Sequence, residues 1–184
     1  MPDDEPREET HKEPEPPDDD IAAAVLARFD SAVFVRSHGQ PVVYSECATW
    51  HDIAAFLRDE QEFTMCLDVT VVDHSASAER VSIEGVEPER FEVVANFISH
   101  PRNRRLRVIA EVPESATEIA TLTDVYPGTD FAEREAYDLF GITFTGHPDL
   151  TRILMPDDWI GHPLRKDDAP ARVPVKFKGD PGPS

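Results

Sequence analysis

The chain has 184 residues, 40% of them hydrophobic, and a formal net charge of −19, which is room for one ordinary domain with a buried core. So negative a chain is a poor match for the phosphates of nucleic acid or for an anionic lipid surface. Its longest apolar run, 21–27, is far short of a bilayer span. The two cysteines, Cys47 and Cys66, have neither C-x-x-C spacing nor a nearby histidine at zinc spacing, which argues against a structural zinc or iron–sulfur centre built from about four ligands.

In chain order, residues 1–20 carry ten acids, two cations and five prolines. Nothing there is apolar enough to pack, so a disordered acidic tail is expected, and the order of charges excludes a signal peptide. Ile21 to Asp30 reads as a short helix with Asp18, Asp19 and Asp20 at its positive end. Ala32–Arg36 and Pro41–Ser45, joined through His38-Gly39-Gln40, read as a β-hairpin. Thr49 opens a helix as an N-cap, with Ile53, Phe56 and Leu57 on one face. Phe63–Asp73 is a strand; Arg90–His100 and Arg104–Val112 form a further pair. In the last of these Leu106, Val108 and Ala110 alternate against Arg105, Arg107 and Ile109. Thr117–Asp124 reads as an amphipathic helix broken at Tyr126-Pro127-Gly128, and Asp130–Phe140 as another, stopped by Gly141. The order of elements implies an α+β fold in two layers, a mixed sheet packed with a few helices over 21–145.

After Phe144 the character changes. Residues 145–184 hold seven prolines and little periodicity, and 151–184 carry +1 against −20 for everything before. With Ile153, Leu154, Met155, Trp159, Ile160 and Phe177 the segment is too apolar for a free linker. Residues 146–184 are therefore expected as an extended, proline-stiffened arm that becomes ordered only against a partner.

Candidate chemistry concentrates in EREAYDLFG, 133–141. Glu133 falls where a capping box with Asp130 would be completed, Arg134 can pair with Asp138 one turn on, and Ala132, Ala136, Leu139 and Phe140 share a packing face. Glu135 and Asp138 lie together on the outward side, either as a catalytic carboxylate couple or as a solvated helical face. His147 and His162 sit in two Gly-His-Pro units. They are either metal ligands lacking a third and fourth partner or bends whose imidazoles dock on a neighbour. No Gly-rich phosphate loop, nucleophile elbow or H-E-x-x-H motif is present.

The stretch LTDVYPGTDFAEREAYDLFGITFTGHPDLTRILMPDDWIGHPLRKD resembles the signature region of the C subunit of the proton-pumping NADH–quinone oxidoreductase, bacterial complex I. Glu133-Arg134-Glu135, Asp138, Leu139-Phe140 and His147 match the motif in register. Arg152-Ile153-Leu154-Met155-Pro156-Asp157-Asp158-Trp159 and His162 to Asp167, with Arg165 and Lys166, match the block that follows. Close resemblance covers 122–168 and looser agreement begins near 21. Thr151, Phe131 and Asp168 depart from the residues common in the family. The resemblance implies a structural subunit of the peripheral arm on the cytoplasmic side, packed against the D subunit, which forms much of the quinone pocket, and near the B subunit. It also implies no cofactor in this chain, with NADH, FMN, iron–sulfur clusters and quinone held by partner subunits. On this reading both Gly-His-Pro units are bends in an arm laid on a partner. Two other expectations stand beside it: the equivalent component of a membrane-bound hydrogenase or reduced-deazaflavin dehydrogenase, and a freestanding hydrolase using Glu135 and Asp138.

Overall fold

A computed structural model describes residues 11–12, 18–77 and 80–168. Helix α1 (Asp20–Arg28) starts inside the stretch expected to be a tail. Asp19 is its N-cap, with Oδ1 accepting from the N–H groups of Ile21 (3.0 Å) and Ala22 (3.1 Å). Asp18 pairs with Arg36. Upstream, strand β1 (His11–Lys12) runs parallel to β5 (Ser82–Ile83); residues 1–10 and 13–17 lie outside the described residues.

The hairpin forms from β2 (Val33–Ser37) and β3 (Gln40–Ser45). Its turn is the two residues His38 and Gly39, with φ of 51° and 76°. Two left-handed residues in succession match the twist of the flanking strands, which brings Gln40 into the pairing. Helix α2 (Trp50–Gln61) buries Trp50, Ile53, Phe56 and Leu57. The expected forward cap at Thr49 is absent: its hydroxyl bonds back to the Glu46 carbonyl at 3.3 Å.

Strands β4 (Met65–Asp73), β6 (Phe91–Ser99) and β7 (Arg104–Val112) complete a five-stranded sheet in the order β2-β3-β7-β6-β4. Neighbours are antiparallel except β3 and β7, so the sheet is mixed. Alternation in β7 sends Leu106, Val108 and Ala110 into the main core with Phe34, Phe91 and Phe97, beneath α1 and α2. Ile109 joins Val35, Val42 and Val94 on the opposite face, where Ile83 of β5 packs over them.

Thr117–Asp124 is not a helix. Glu118–Ala120 is strand β8, parallel to β9 (Thr143–Thr145), a strand the residue pattern did not lead us to expect. Thr117, Ile119, Thr121 and Thr123 alternate, and branching at Cβ restricts their rotamers in a way that suits an extended chain better than a helix. Ile119 and Phe144, cross-strand neighbours, enter the core together.

Helix α3 (Asp130–Phe140) has the expected span and ends on Gly141 at φ 74°, while its N-cap is Thr129, one residue earlier than expected. Residues 146–168 have no regular secondary structure. Instead of standing off as an arm that awaits a partner, they turn back over the C-terminal end of α3 and the end of β4. Their backbone N–H groups are taken up by the body's own buried carboxylates, which is the physical reason for the difference. Residues 169–184 lie outside the described residues.

Candidate functional site

Residues 146–168, hereafter the strap, are fastened where α3 ends. An α-helix leaves its last four carbonyls without intrahelical donors. Here Gly141 N bonds Tyr137 O (2.9 Å), His162 Nδ1 donates to Asp138 O (3.0 Å), Leu164 N to Leu139 O (3.1 Å) and Arg165 Nε to Phe140 O (2.6 Å). Arg152 Nη1 adds a second donor to Asp138 O (3.3 Å), so of these five donors all but Gly141 N come from the strap. Because a carbonyl only accepts, the proton of His162 sits on Nδ1. Arg152 and Arg165 also place positive charge at the negative end of the helix dipole.

Asp138 forms the second half of this clamp. Its side chain is fully buried. Oδ2 accepts from three successive N–H groups, Ile153 (3.0 Å), Leu154 (2.7 Å) and Met155 (2.8 Å), while Oδ1 accepts from Arg152 Nη1 at 2.6 Å. Arg152 Nη2 reaches on to Gly161 O (3.1 Å). Successive N–H groups converging on one oxygen are an anion nest. Burial alone would raise the Asp138 pKa, but the nest and Arg152 outweigh it and hold the carboxyl down to about 2.

A third fastening lies at the end of β4. Asp73, buried, accepts from Lys166 N (2.9 Å), Ser75 N (2.9 Å) and Arg90 Nη2 (2.9 Å). Arg90 extends to Asp167 and Glu114, each at 2.5 Å. Burial opposes ionisation of Asp73 too, yet Arg90 and the two N–H groups keep its carboxyl well below the usual carboxylate range. Asp168 accepts from His162 N at 2.7 Å, so this departure from the family pattern makes a strap contact of its own.

Glu133 does not complete a capping box with Asp130. It turns inward and is fully buried, accepting from Leu122 N (2.7 Å) and bonded to the hydroxyls of Thr121 (2.5 Å) and Thr129 (3.0 Å). Burial pushes its carboxyl up, against the pull of those donors. The residue therefore pins α3 to the 121–129 segment. Arg134 does not pair with Asp138. It donates to Thr151 O (3.1 Å) and Oγ1 (2.9 Å), so the unusual Thr151 is held by the motif arginine. Phe131 stays exposed, with the Arg134 guanidinium 5.6 Å from its ring centre.

The structure thus brings together Glu133, Arg134, Asp138, Arg152, Met155, His162, Arg165 and Lys166 around α3 and the strap. Glu135 and Asp138 do not form a couple, because Glu135 is exposed and Asp138 is buried with both oxygens engaged. The His147 ring is buried: Nδ1 accepts from Asp149 N (3.1 Å) and Nε2 donates to Asp130 O (3.4 Å). Both histidines act as docked bends, and the described residues contain no group of three or more His, Cys, Asp or Glu placed to hold a metal. Pro156, Asp157 and Asp158 face outward, and Trp159 is half-buried. Sequence reasoning missed Asp73 and Arg90. A signal was available, since Asp73 continues the inward alternation Val69, Val71 on β4 and an acid at an inward position needs partners.

The strap's outward side carries the largest exposed apolar residues near the site: Ile160 is 93% exposed, Leu154 56% and Leu164 47%, with Phe131 at 64% on the adjoining helix. Among solved structures the architecture matches the trypsin-resistant fragment of Nqo5, at TM-score 0.61 and 29% identity, over 71% of this chain and 96% of that one. The class is therefore that of α+β complex I subunits. The family model for the 30 kDa subunit of respiratory-chain NADH dehydrogenase matches residues 43–173, and the chain belongs to that family. The NADH-quinone oxidoreductase C subunit of Geobacter metallireducens is 45% identical over 128 residues, 68% of this chain and 74% of that protein. The C/D subunit of the same oxidoreductase from Chromohalobacter salexigens is 40% identical over 160 residues, 85% of this chain but 26% of that longer protein. No helix among the described residues is long and apolar enough to cross a membrane.

Proposed function

We propose that this chain is a non-redox structural subunit in the peripheral arm of a proton-translocating NADH–quinone oxidoreductase, on the cytoplasmic face of the membrane. It positions the D subunit, which carries the quinone site, and lies near the B subunit, while NADH, FMN, iron–sulfur clusters and quinone are bound by partner subunits. The observation that carries this reading is the strap. Three clamps fix its backbone and leave Ile160 almost fully exposed and Leu154 and Leu164 about half exposed on its outward side. A rigid apolar surface of this kind loses little conformational freedom on docking. The Chromohalobacter relative supports the D subunit as the occupant, since its name joins C and D in one polypeptide.

Burying a large aliphatic side chain contributes about 1.5–3 kcal/mol. Ile160→Asp should therefore abolish co-purification with the D subunit while leaving the unfolding midpoint of the isolated chain unchanged, because the wild-type side chain is already in water. Glu135→Gln, on the exposed face of α3, should lower the amount of assembled complex more than the turnover per complex. A general acid or base would show the reverse, with normal assembly and turnover down by about 10²–10⁴-fold.

A further inference from the structure

The strap delivers the end of the described chain to an acidic groove. Asp167 is held by Arg90, whose guanidinium also holds Glu114. The chain neighbours of those two residues, Glu89 and Pro113, line a groove of about 250 Å³ beside β3 and the 84–89 loop. Val33 and Val86 give it apolar walls, and Glu46, Glu87 and Glu89 stand along it. Among the described residues, none of those three carboxylates is paired with a cation. Glu111, deeper in the groove, is already engaged by Arg80 and Glu89 N.

Beyond Asp168 the chain continues for sixteen residues, and 172–178 reads RVPVKFK: three cations, no acid, and Val173, Val175 and Phe177 at alternate positions. An extended chain advances about 3.3 Å per residue, so position 172 lies within about 13 Å of Asp168 and position 178 within about 33 Å. A short tether starting next to Asp167, which Arg90 holds one residue along the chain from the groove-lining Glu89, gives this segment a high effective concentration there.

We propose that the basic segment 172–178 occupies the acidic groove of its own body, its apolar positions against Val33 and Val86 and its cations on Glu46, Glu87 and Glu89. The groove holds this segment until a partner displaces it. This goes beyond the structural role proposed above and stands whether or not the D subunit is the partner.

The test uses the isolated full-length chain with the photo-crosslinking residue p-benzoylphenylalanine at position 177, and cross-linked peptides mapped by mass spectrometry. The expected products join position 177 to peptides containing Val33, Val86 or Glu87 within the same molecule. Glu46→Lys with Glu87→Lys, both exposed and without described side-chain partners, should cut their yield at least fivefold. Adding Lys176→Glu with Lys178→Glu should restore it, a rescue that a general folding defect would not give. Cross-links elsewhere on the body, cross-links between two copies, a yield indifferent to charge reversal, or no product would each overturn the proposal.

Discussion

Asp138→Ala should free the strap and leave almost no assembled complex. Removing the carboxylate strands Arg152 beside the end of α3 and leaves the N–H groups of Ile153, Leu154 and Met155 without their acceptor. Breaking a buried ion pair from one side typically costs about 3–5 kcal/mol, and each unsatisfied buried donor adds to that. The strap loses its central clamp, whereas the main core does not depend on this residue. Trypsin should then cut the isolated variant after Arg152 and Arg165 with the body intact, and affinity capture should recover little partner.

The same clamp sets an acid dependence. The Asp138 carboxyl titrates near 2 in the folded chain, below the ordinary value of 3.8. Its contribution is therefore fully present above about pH 4 and is lost as pH falls from there towards 2. Asp73, held low as well, gives way in the same direction. On acidification the emission of Trp159, in the strap, should shift before that of Trp50, which is fully buried in the core.

The second large effect falls on Gly141. Its φ of 74° is left-handed, and a Cβ there would lie 2.6 Å from the His162 ring and 2.8 Å from Arg165 Nη2. Gly39 has nearly the same φ, 76°, with nothing within 4 Å of a Cβ. Gly39→Ala thus measures the conformational cost alone, about 1 kcal/mol. Gly141→Ala adds the displacement of two strap residues that satisfy the helix end, with overpacking of this kind costing about 1–3 kcal/mol more. In denaturant titrations Gly141→Ala should be the more destabilised by that margin, and only Gly141→Ala should lose partner binding.

Local elements were readable from the residues because local physics decides them. The periodicity of β7 and the span of α3 needed only alternation, helical spacing and a terminal glycine. Thr117–Asp124 misled because its apolar spacing fits a helix, while its β-branched residues and the partner strand Thr143–Thr145 decide for extended backbone. Asp138 was expected to face solvent, since an acid three positions from Glu135 looks like part of a charged face. What draws it inward is a supply of main-chain N–H groups fifteen and more residues away, and backbone donors leave no mark in side-chain sequence. Asp138, Arg152 and His162 lie within the stretch that carries the resemblance, whereas their roles as clamps emerged only from the geometry.

The most direct test is residue-resolved hydrogen exchange on the isolated, unpartnered chain at neutral pH. The N–H groups of Ile153, Leu154 and Met155, together with those of Leu164 and Lys166, should be strongly protected in the wild type. In Asp138→Ala, residues 153–155 should exchange at unstructured rates while β6 and β7 remain protected. Fast exchange at 153–155 in the wild-type chain, with protection gained only on adding the partner protein, would contradict a strap built into the body.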